Sequence, residues 1–197
     1  MPRIAPLEPP YRDELQAHFD QIMPKGAPPL VLFRTVAASQ RAWGKFRTAS
    51  LLDGRLISLR EREIVIDRTC ALAGCEYEWG VHITAFAKAA GLTAQEVAAT
   101  CSPSGAAETW NAAERALIAA ADALHARVRL TDAEFTALRA WYDTAQILEI
   151  IMLCGFYRMV AYLANGLDLP LEPGGARFEE AQRDGGLARA PQAVSQA

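Results

Sequence analysis

The sequence lacks several features that would assign it to a simple class of proteins. Its 197 residues include four cysteines but no CxxC pair, so a zinc-binding set is not indicated. The net charge is −3 and no basic run is present, so nucleic-acid binding is not indicated either. The first residues lack the apolar core of a signal peptide. These absences predict a cytoplasmic protein with reduced thiols and no nucleic-acid partner.

The chain also lacks any stretch in which apolar and polar residues alternate with a period of two, so no sheet is predicted. Hydrophobic residues make up 51% of the sequence, which at this length supports one domain with a full core. Helical spacing of the apolar residues and repeated capping boxes predict an all-α, single helical-bundle domain of about seven or eight helices.

Composition divides the chain into three parts. Residues 1–29 are predicted to be a proline-rich lead-in with one short helix, and residues 30–169 the helical domain. From residue 170 to residue 197 proline, glycine, alanine, glutamine and arginine dominate and the periodicity is lost. We therefore expect a flexible C-terminal tail over residues 170–197.

No apolar run of membrane length is free of polar residues. The run from Ile147 to Leu167 comes near that length but includes Glu149, Arg158 and Asn165, which favours a buried helix over a membrane span. This helix is apolar nearly all the way round, so every side of it has to be covered. A central position in the bundle or a partner subunit would cover it, and the second is slightly favoured.

The reactive side chains are concentrated in the stretch from Leu59 to Gly91. The pattern predicts two amphipathic helices joined at Gly74. On a wheel of about 100° per residue with Cys75 at zero, Glu78 falls near about 300° and His82 near about 340°. Apolar residues share this half, so the three reactive groups are predicted to face the core. The residues predicted to lie on the opposite side are Tyr77, Thr84 and Lys88.

The first of these helices places an acid on its core-facing seam. The seam consists of Leu59, Glu63, Ile66, Cys70 and Ala73. The charged residues predicted to face other directions are Glu61, Arg62 and Arg68. By the helical rise, Glu63 lies about 16 Å before the hinge and His82 lies about 12 Å after it. If the helices fold back at Gly74, these similar distances bring Glu63 close to His82.

These groups favour either proton transfer or thiol chemistry. A half-buried carboxylate has a raised pKa and histidine titrates near neutrality, which together suit general acid–base catalysis. Cys75 begins a helix, whose dipole should lower the pKa of its thiol and favour the reactive thiolate. The structural alternative is a helix-surface Glu–His pair beside a cysteine that fills the core. Cys70 is a conceivable second thiol without a supporting motif, and Cys101 and Cys154 are interpreted as packing residues.

The segments LISLREREIVI, AGCEYEWGVH and AAGLTAQEV resemble the carboxymuconolactone decarboxylase family, which includes the alkylhydroperoxidase D-like proteins. The resemblance extends roughly from Val31 to Pro173. It implies an all-helical, alkylhydroperoxidase D-like fold and a homo-oligomer, commonly a trimer or larger. In the alkylhydroperoxidase D-like branch a glutamate lies twelve residues before a CxxCxxxH motif, which matches Glu63, Cys75 and His82. Glu78 replaces the second cysteine of that motif and looks like the decarboxylase branch, which uses no metal or organic cofactor.

Three hypotheses follow. The first is a peroxiredoxin-type antioxidant enzyme, in which Cys75 attacks a hydroperoxide, Glu63, Glu78 and His82 handle protons, and an external thiol or Cys70 reduces the product. The second is a cofactor-free decarboxylase or isomerase of a small lactone or carboxylic acid, in which Glu78 and His82 transfer protons. The third is a non-catalytic oligomeric family member. The resemblance favours the first, with a small-molecule substrate, no cofactor, no metal and no membrane partner.

Overall fold

A computed structural model describes residues 1–53, 56–102 and 105–185. Within these ranges the chain forms α-helices, one short 3-10 turn at Ala107–Thr109 and no strand, which confirms the predicted all-α fold. The helices are α1 Asp13–Ile22, α2 Val31–Val36, α3 Gln40–Ala49, α4 Leu59–Leu72, α5 Glu76–Phe86, α6 Ala94–Cys101, α7 Ala112–Arg127, α8 Asp132–Arg139, α9 Thr144–Gly166 and α10 Phe178–Asp184.

Capping boxes fix where five of these helices begin. In each, the side chain of the N-cap residue accepts a hydrogen bond from the backbone N–H of the third helical residue. The side chain of that third residue in turn accepts a hydrogen bond from the backbone N–H of the N-cap residue. The pairs are Ser58 with Glu61, Thr93 with Glu96, Asn111 with Glu114, Thr131 with Glu134 and Asp143 with Gln146. The boundaries read from these motifs are therefore accurate at the N-terminal ends.

The helix count exceeds the predicted seven or eight for local reasons. The helical stretch expected over residues 30–50 is split into α2 and α3, because the Ser39 side chain accepts from the Ala42 N–H and starts a new helix. The helix after Gly74 ends at Phe86 rather than at about residue 90. In addition, α10 forms in a region where no helix was predicted.

The centre of the bundle is α4, which packs against α5, α6, α7 and α9. Eight consecutive residues of this helix, 63–70, are buried, so the polar side chains among them do not face solvent. Arg68 is one of them, which contradicts the expectation that it faces away from the core. Its guanidinium donates to both carboxylate oxygens of Asp122 and to the backbone carbonyls of Thr100 and Ser102.

The helix α9 is buried on one side only. Its bare side carries the exposed residues Leu148, Met152, Met159 and Tyr162. The single chain therefore leaves one side of this helix uncovered, so the first of the two predicted arrangements, a central position in the bundle, is not found. The helix is long and apolar enough to cross a membrane, and half of its most apolar 18-residue stretch is buried inside the chain. The homo-oligomer stays a prediction.

The segment after α9 forms a strap across α5, defined here as residues 170–177. Glu172 accepts a hydrogen bond from the Tyr77 hydroxyl, and the Ala176 N–H donates to Thr84 Oγ1 at 3.0 Å. Gly80 allows this approach, since a Cβ there would lie 2.5 Å from the Ala176 carbonyl oxygen. Tyr77 is consequently buried, which corrects its predicted placement on the outer side of the helix.

The strap continues into α10, whose Phe178 ring lies 4.8 Å from the Trp79 ring. The Phe178 N–H also donates to Glu76 Oε1 at 2.8 Å. The expectation of a flexible tail from residue 170 is therefore corrected for residues 170–185, which these contacts fix in place. Residues 186–197 of that predicted tail lie outside the described residues.

The hydrogen bonds of Arg68 give a test of the bundle centre. Replacing Arg68 by Met removes a buried guanidinium and the hydrogen bonds that it donates to Asp122, Thr100 and Ser102, so we expect the free energy of unfolding to fall by about 3 kcal/mol. The exposed pair of Arg127 with Glu134 is the matched control, and Arg127→Met should leave stability nearly unchanged. Urea unfolding followed by circular dichroism measures both. Equal losses in the two variants would contradict the assigned role of Arg68.

Candidate functional site

The reversal at Gly74 brings the predicted site residues together. Gly74 has φ +60, a conformation that favours glycine, and it lets α5 pack back along α4. As a result, His82 Nδ1 on α5 lies 2.7 Å from Glu63 Oε2 on α4. Its other ring nitrogen, Nε2, lies 3.5 Å from Glu78 Oε1 one turn away. The imidazole is therefore placed between two carboxylates from different helices.

The environment of His82 favours the imidazolium form. Burial alone would lower its pKa, but the bond to Glu63 and the contact with Glu78 outweigh burial and raise the pKa to about 10. Aromatic rings cover the imidazole, with the Tyr157 ring edge-on at 5.0 Å and the Phe86 ring at 5.3 Å. Only 3% of His82 is exposed. A proton on this ring is consequently held in the interior over the neutral pH range.

Arg62 balances the charge of Glu63, contrary to the prediction that it faces elsewhere. Its guanidinium lies 2.6 Å from Glu63 Oε1, the carboxylate oxygen not used by the histidine. The Arg62 side chain also lies over the Phe86 ring at 5.3 Å, so it covers the site from the outside. Glu63 therefore accepts from a cation on each of its two oxygens, which explains how a fully buried carboxylate is tolerated.

Asp67 is a further acid in the site that the sequence reasoning missed. It lies one turn after Glu63 on α4, is fully buried, and neither of its carboxylate oxygens has a hydrogen-bond partner among the described residues. Burial raises its pKa well above the usual range. The signal was available in the sequence, because residues four apart share a helix face.

Cys75 is the N-cap of α5 and is fully buried. The expectation of a lowered thiol pKa is wrong. Burial raises the pKa of Cys75 to about 11, because it outweighs the opposing effect of the backbone N–H groups of Glu78 and Tyr77. The negative charge of Glu78 acts in the same direction as burial. The thiol is thus protonated at neutral pH, and its ionisation would need a base.

The site is enclosed within the chain. Glu63 and Cys75 have no exposed surface, and Glu78 is 6% exposed. Two surface cavities, of about 340 Å³ beside His125 and about 740 Å³ beside α1, contain none of these residues. A reactant that reaches the thiol therefore has to be small or has to enter by local movement of the surrounding helices.

Three of the buried groups have the chemistry of metal ligands. Glu63, Asp67 and His82 each offer one atom that could bind a metal ion, and these three atoms lie within 4.8 Å of one another. Carboxylate oxygens with an imidazole nitrogen suit a divalent cation. However, Glu63 already uses one oxygen for His82 and the other for Arg62. A cation at this point would have to replace the hydrogen bond between the histidine and the glutamate.

The sequence matches the model of the carboxymuconolactone decarboxylase family over residues 37–122. That range includes α4, α5 and all four predicted site residues. A comparison with curated proteins gave no significant match.

Several solved structures share the fold. A peroxidase-related protein from Silicibacter sp. TM1040 superposes with a TM-score of 0.76 at 19% identity, covering 90% of this chain and 95% of its own. The debrominase Bmp8 gives 0.72 at 16% identity, with 92% and 97% covered. The alkylhydroperoxidase AhpD core of a peroxidase-related protein from Ralstonia eutropha JMP134 gives 0.64 at 16% identity, with 86% and 93% covered. Residues 37–122 therefore match the carboxymuconolactone decarboxylase family, and the described part of the chain has the alkylhydroperoxidase D-like fold.

Proposed function

We propose that this protein is a peroxiredoxin-type oxidoreductase that reduces a small hydroperoxide through Cys75. The observation that carries the proposal is the polar chain of Cys75, Glu78, His82 and Glu63: the charge of Glu78 acts on the Cys75 thiol, Glu78 lies 3.5 Å from His82, and His82 lies 2.7 Å from Glu63. Two of the fold relatives are described as peroxidase-related proteins, which supports the same reaction class. The enclosure of the site supports a small substrate.

The residues divide the proton transfers between them. Glu78 takes the proton of the Cys75 thiol, and the thiolate attacks the terminal oxygen of the hydroperoxide. The O–O bond breaks, His82 donates the Nε2 proton to the departing alkoxide, and an alcohol leaves. The cysteine is then a sulfenic acid, and the proton held by Glu78 returns to the histidine across the 3.5 Å contact. Glu63 orients the ring by accepting a hydrogen bond from the Nδ1–H group of His82.

The cycle needs a reductant for the sulfenic acid. Two equivalents of an external thiol would restore Cys75, forming the corresponding disulfide and water. Such thiols are abundant in the cytoplasm, where we place the reaction. No resident cofactor enters these steps.

Replacing Cys75 by Ser tests the nucleophile. We expect loss of more than about 99% of hydroperoxide consumption in the presence of a thiol reductant, because a serine hydroxyl is not oxidised to a sulfenic acid. The matched control is Cys101→Ser, a half-buried cysteine outside the polar chain, which should retain the wild-type rate. Following peroxide loss over time gives both rates. A Cys75→Ser variant as active as the wild type would refute the proposal.

The pH dependence of the rate tests the raised pKa of Cys75. In Glu78→Gln the internal base is absent and the thiol has to ionise to solvent, so with a thiol pKa of about 11 the second-order rate constant with peroxide should rise about tenfold per pH unit between about pH 7 and about pH 9. His82 stays protonated over this range, because its pKa is raised to about 10. A rate that is flat above about pH 7 would show that the thiol ionises much more readily than its burial implies.

A cofactor-free acid–base reaction on a small lactone or carboxylic acid is the second candidate. It is favoured by Glu78 Oε2, which is buried and has no hydrogen-bond partner among the described residues. Such an oxygen is free to take a proton from a bound substrate.

The two candidates predict opposite results for one pair of variants. In the acid–base reaction, Glu78→Gln should abolish turnover of a small lactone while Cys75→Ser is tolerated. Under the peroxidase mechanism, Glu78→Gln should lower the peroxide rate at neutral pH by about 10²- to 10⁴-fold, the usual contribution of a general base. Assaying both variants against both substrate classes separates them.

A further inference from the structure

We propose that Cys70 is the resolving thiol of the site and forms an intramolecular disulfide with Cys75 once Cys75 has been oxidised. The proposal rests on the peroxidase function above and names the group that completes its cycle. It replaces the missing CxxC pair by two cysteines five residues apart, on opposite sides of the reversal between α4 and α5.

The backbone at the end of α4 holds the two cysteines together. The Cys75 N–H donates to the Cys70 carbonyl at 2.9 Å, and the Gly74 N–H donates to the Ala71 carbonyl at 3.0 Å. With Gly74 left-handed between them, this is a Schellman motif. Standard bond lengths then limit the separation of the two cysteine Cα atoms to less than about 6.8 Å. Disulfides span Cα atoms roughly 4.4–6.8 Å apart, so the separation is within the upper limit for such a bond.

The side chains occupy the two positions of the motif that usually contact each other. In a Schellman motif the residue three before the helix end packs against the second residue beyond it, and these are Cys70 and Cys75 here. Both side chains are fully buried, and a charge on one thiol acts on the other. Glu63 and Glu78 also act on Cys70, so this thiol lies within the polar chain of the site.

The chemistry of the second step balances without a further reactant. The Cys70 thiol gives its proton to the hydroxyl of the Cys75 sulfenic acid through Glu78 or His82. The Cys70 sulfur attacks the Cys75 sulfur, the S–O bond breaks, and water leaves as the disulfide forms. An external dithiol then reduces the disulfide and is itself oxidised. Because burial holds the pKa of Cys70 well above its usual range, this thiol stays protonated until the sulfenic acid is formed beside it.

The short span of the bond suits a cycling disulfide rather than a structural one. Closing a ring of so few residues constrains the unfolded chain very little, so the bond adds little stability and costs little to reduce. Gly74 has nothing within 4 Å of the position where a Cβ would lie, which leaves room for the turn to adjust.

Thiol counting after stoichiometric oxidation tests the proposal. One equivalent of hydrogen peroxide is added to the reduced full-length protein, the reaction is quenched with acid, and free thiols are titrated after unfolding. Wild type should fall from four thiols to two, and Cys70→Ser from three to two with a sulfenic acid at Cys75. The matched control Cys101→Ser should fall from three to one. Peptide mapping should locate the wild-type disulfide between Cys70 and Cys75.

The outcomes separate this proposal from the function on which it rests. Loss of a single thiol in wild type, or a disulfide to another cysteine, overturns the role of Cys70 and leaves Cys75 as a one-thiol peroxidase. Loss of no thiol overturns both. Oxidation with diamide adds a readout that does not need peroxide chemistry, since it should also join Cys70 to Cys75 in wild type. Circular dichroism checks that Cys70→Ser is folded, and Cys70→Ala is a second variant with the same expected thiol loss.

Discussion

The hydrogen bond between Glu63 and His82 is the interaction on which the site depends. It joins α4 to α5 in an interior without a solvated face, where an unpaired charge would be strongly unfavourable. Arg62 and Glu78 complete the pairing, so that two cations and two carboxylates alternate along one line. The polar chain is therefore stable only as a unit.

The strap over residues 170–177 and α10 cover α5. They do so through Glu172 on Tyr77, through the contact of Ala176 with Gly80 and through the Phe178 ring on Trp79. Burial within the bundle is what raises the thiol pKa of Cys75. The same enclosure restricts reactants to small molecules and shields a sulfenic acid from solvent.

Glu78 stands where the CxxCxxxH motif has its second cysteine. The Schellman motif at the end of α4 suggests a chemical reason for this exchange. In the proposed mechanism an acid in that position acts as the base for a high-pKa thiol, and the turn at Gly74 brings another sulfur from the preceding helix. A one-thiol site and a two-thiol site thus differ here only by whether Cys70 takes part. The two carboxylates and the imidazole serve both versions equally.

Local pattern by itself determined the all-α fold, the starts of five helices and the core-facing seam of Glu63, Cys75, Glu78 and His82, because caps and helical periodicity act within a few residues. Only the tertiary structure decided what depends on distant segments. It buried Tyr77 under the strap, turned Arg62 toward Glu63, made α4 rather than α9 the central helix, and raised rather than lowered the pKa of Cys75. Desolvation and ion pairing are set by all the elements packed around a group, and helical spacing along one segment carries no information about them.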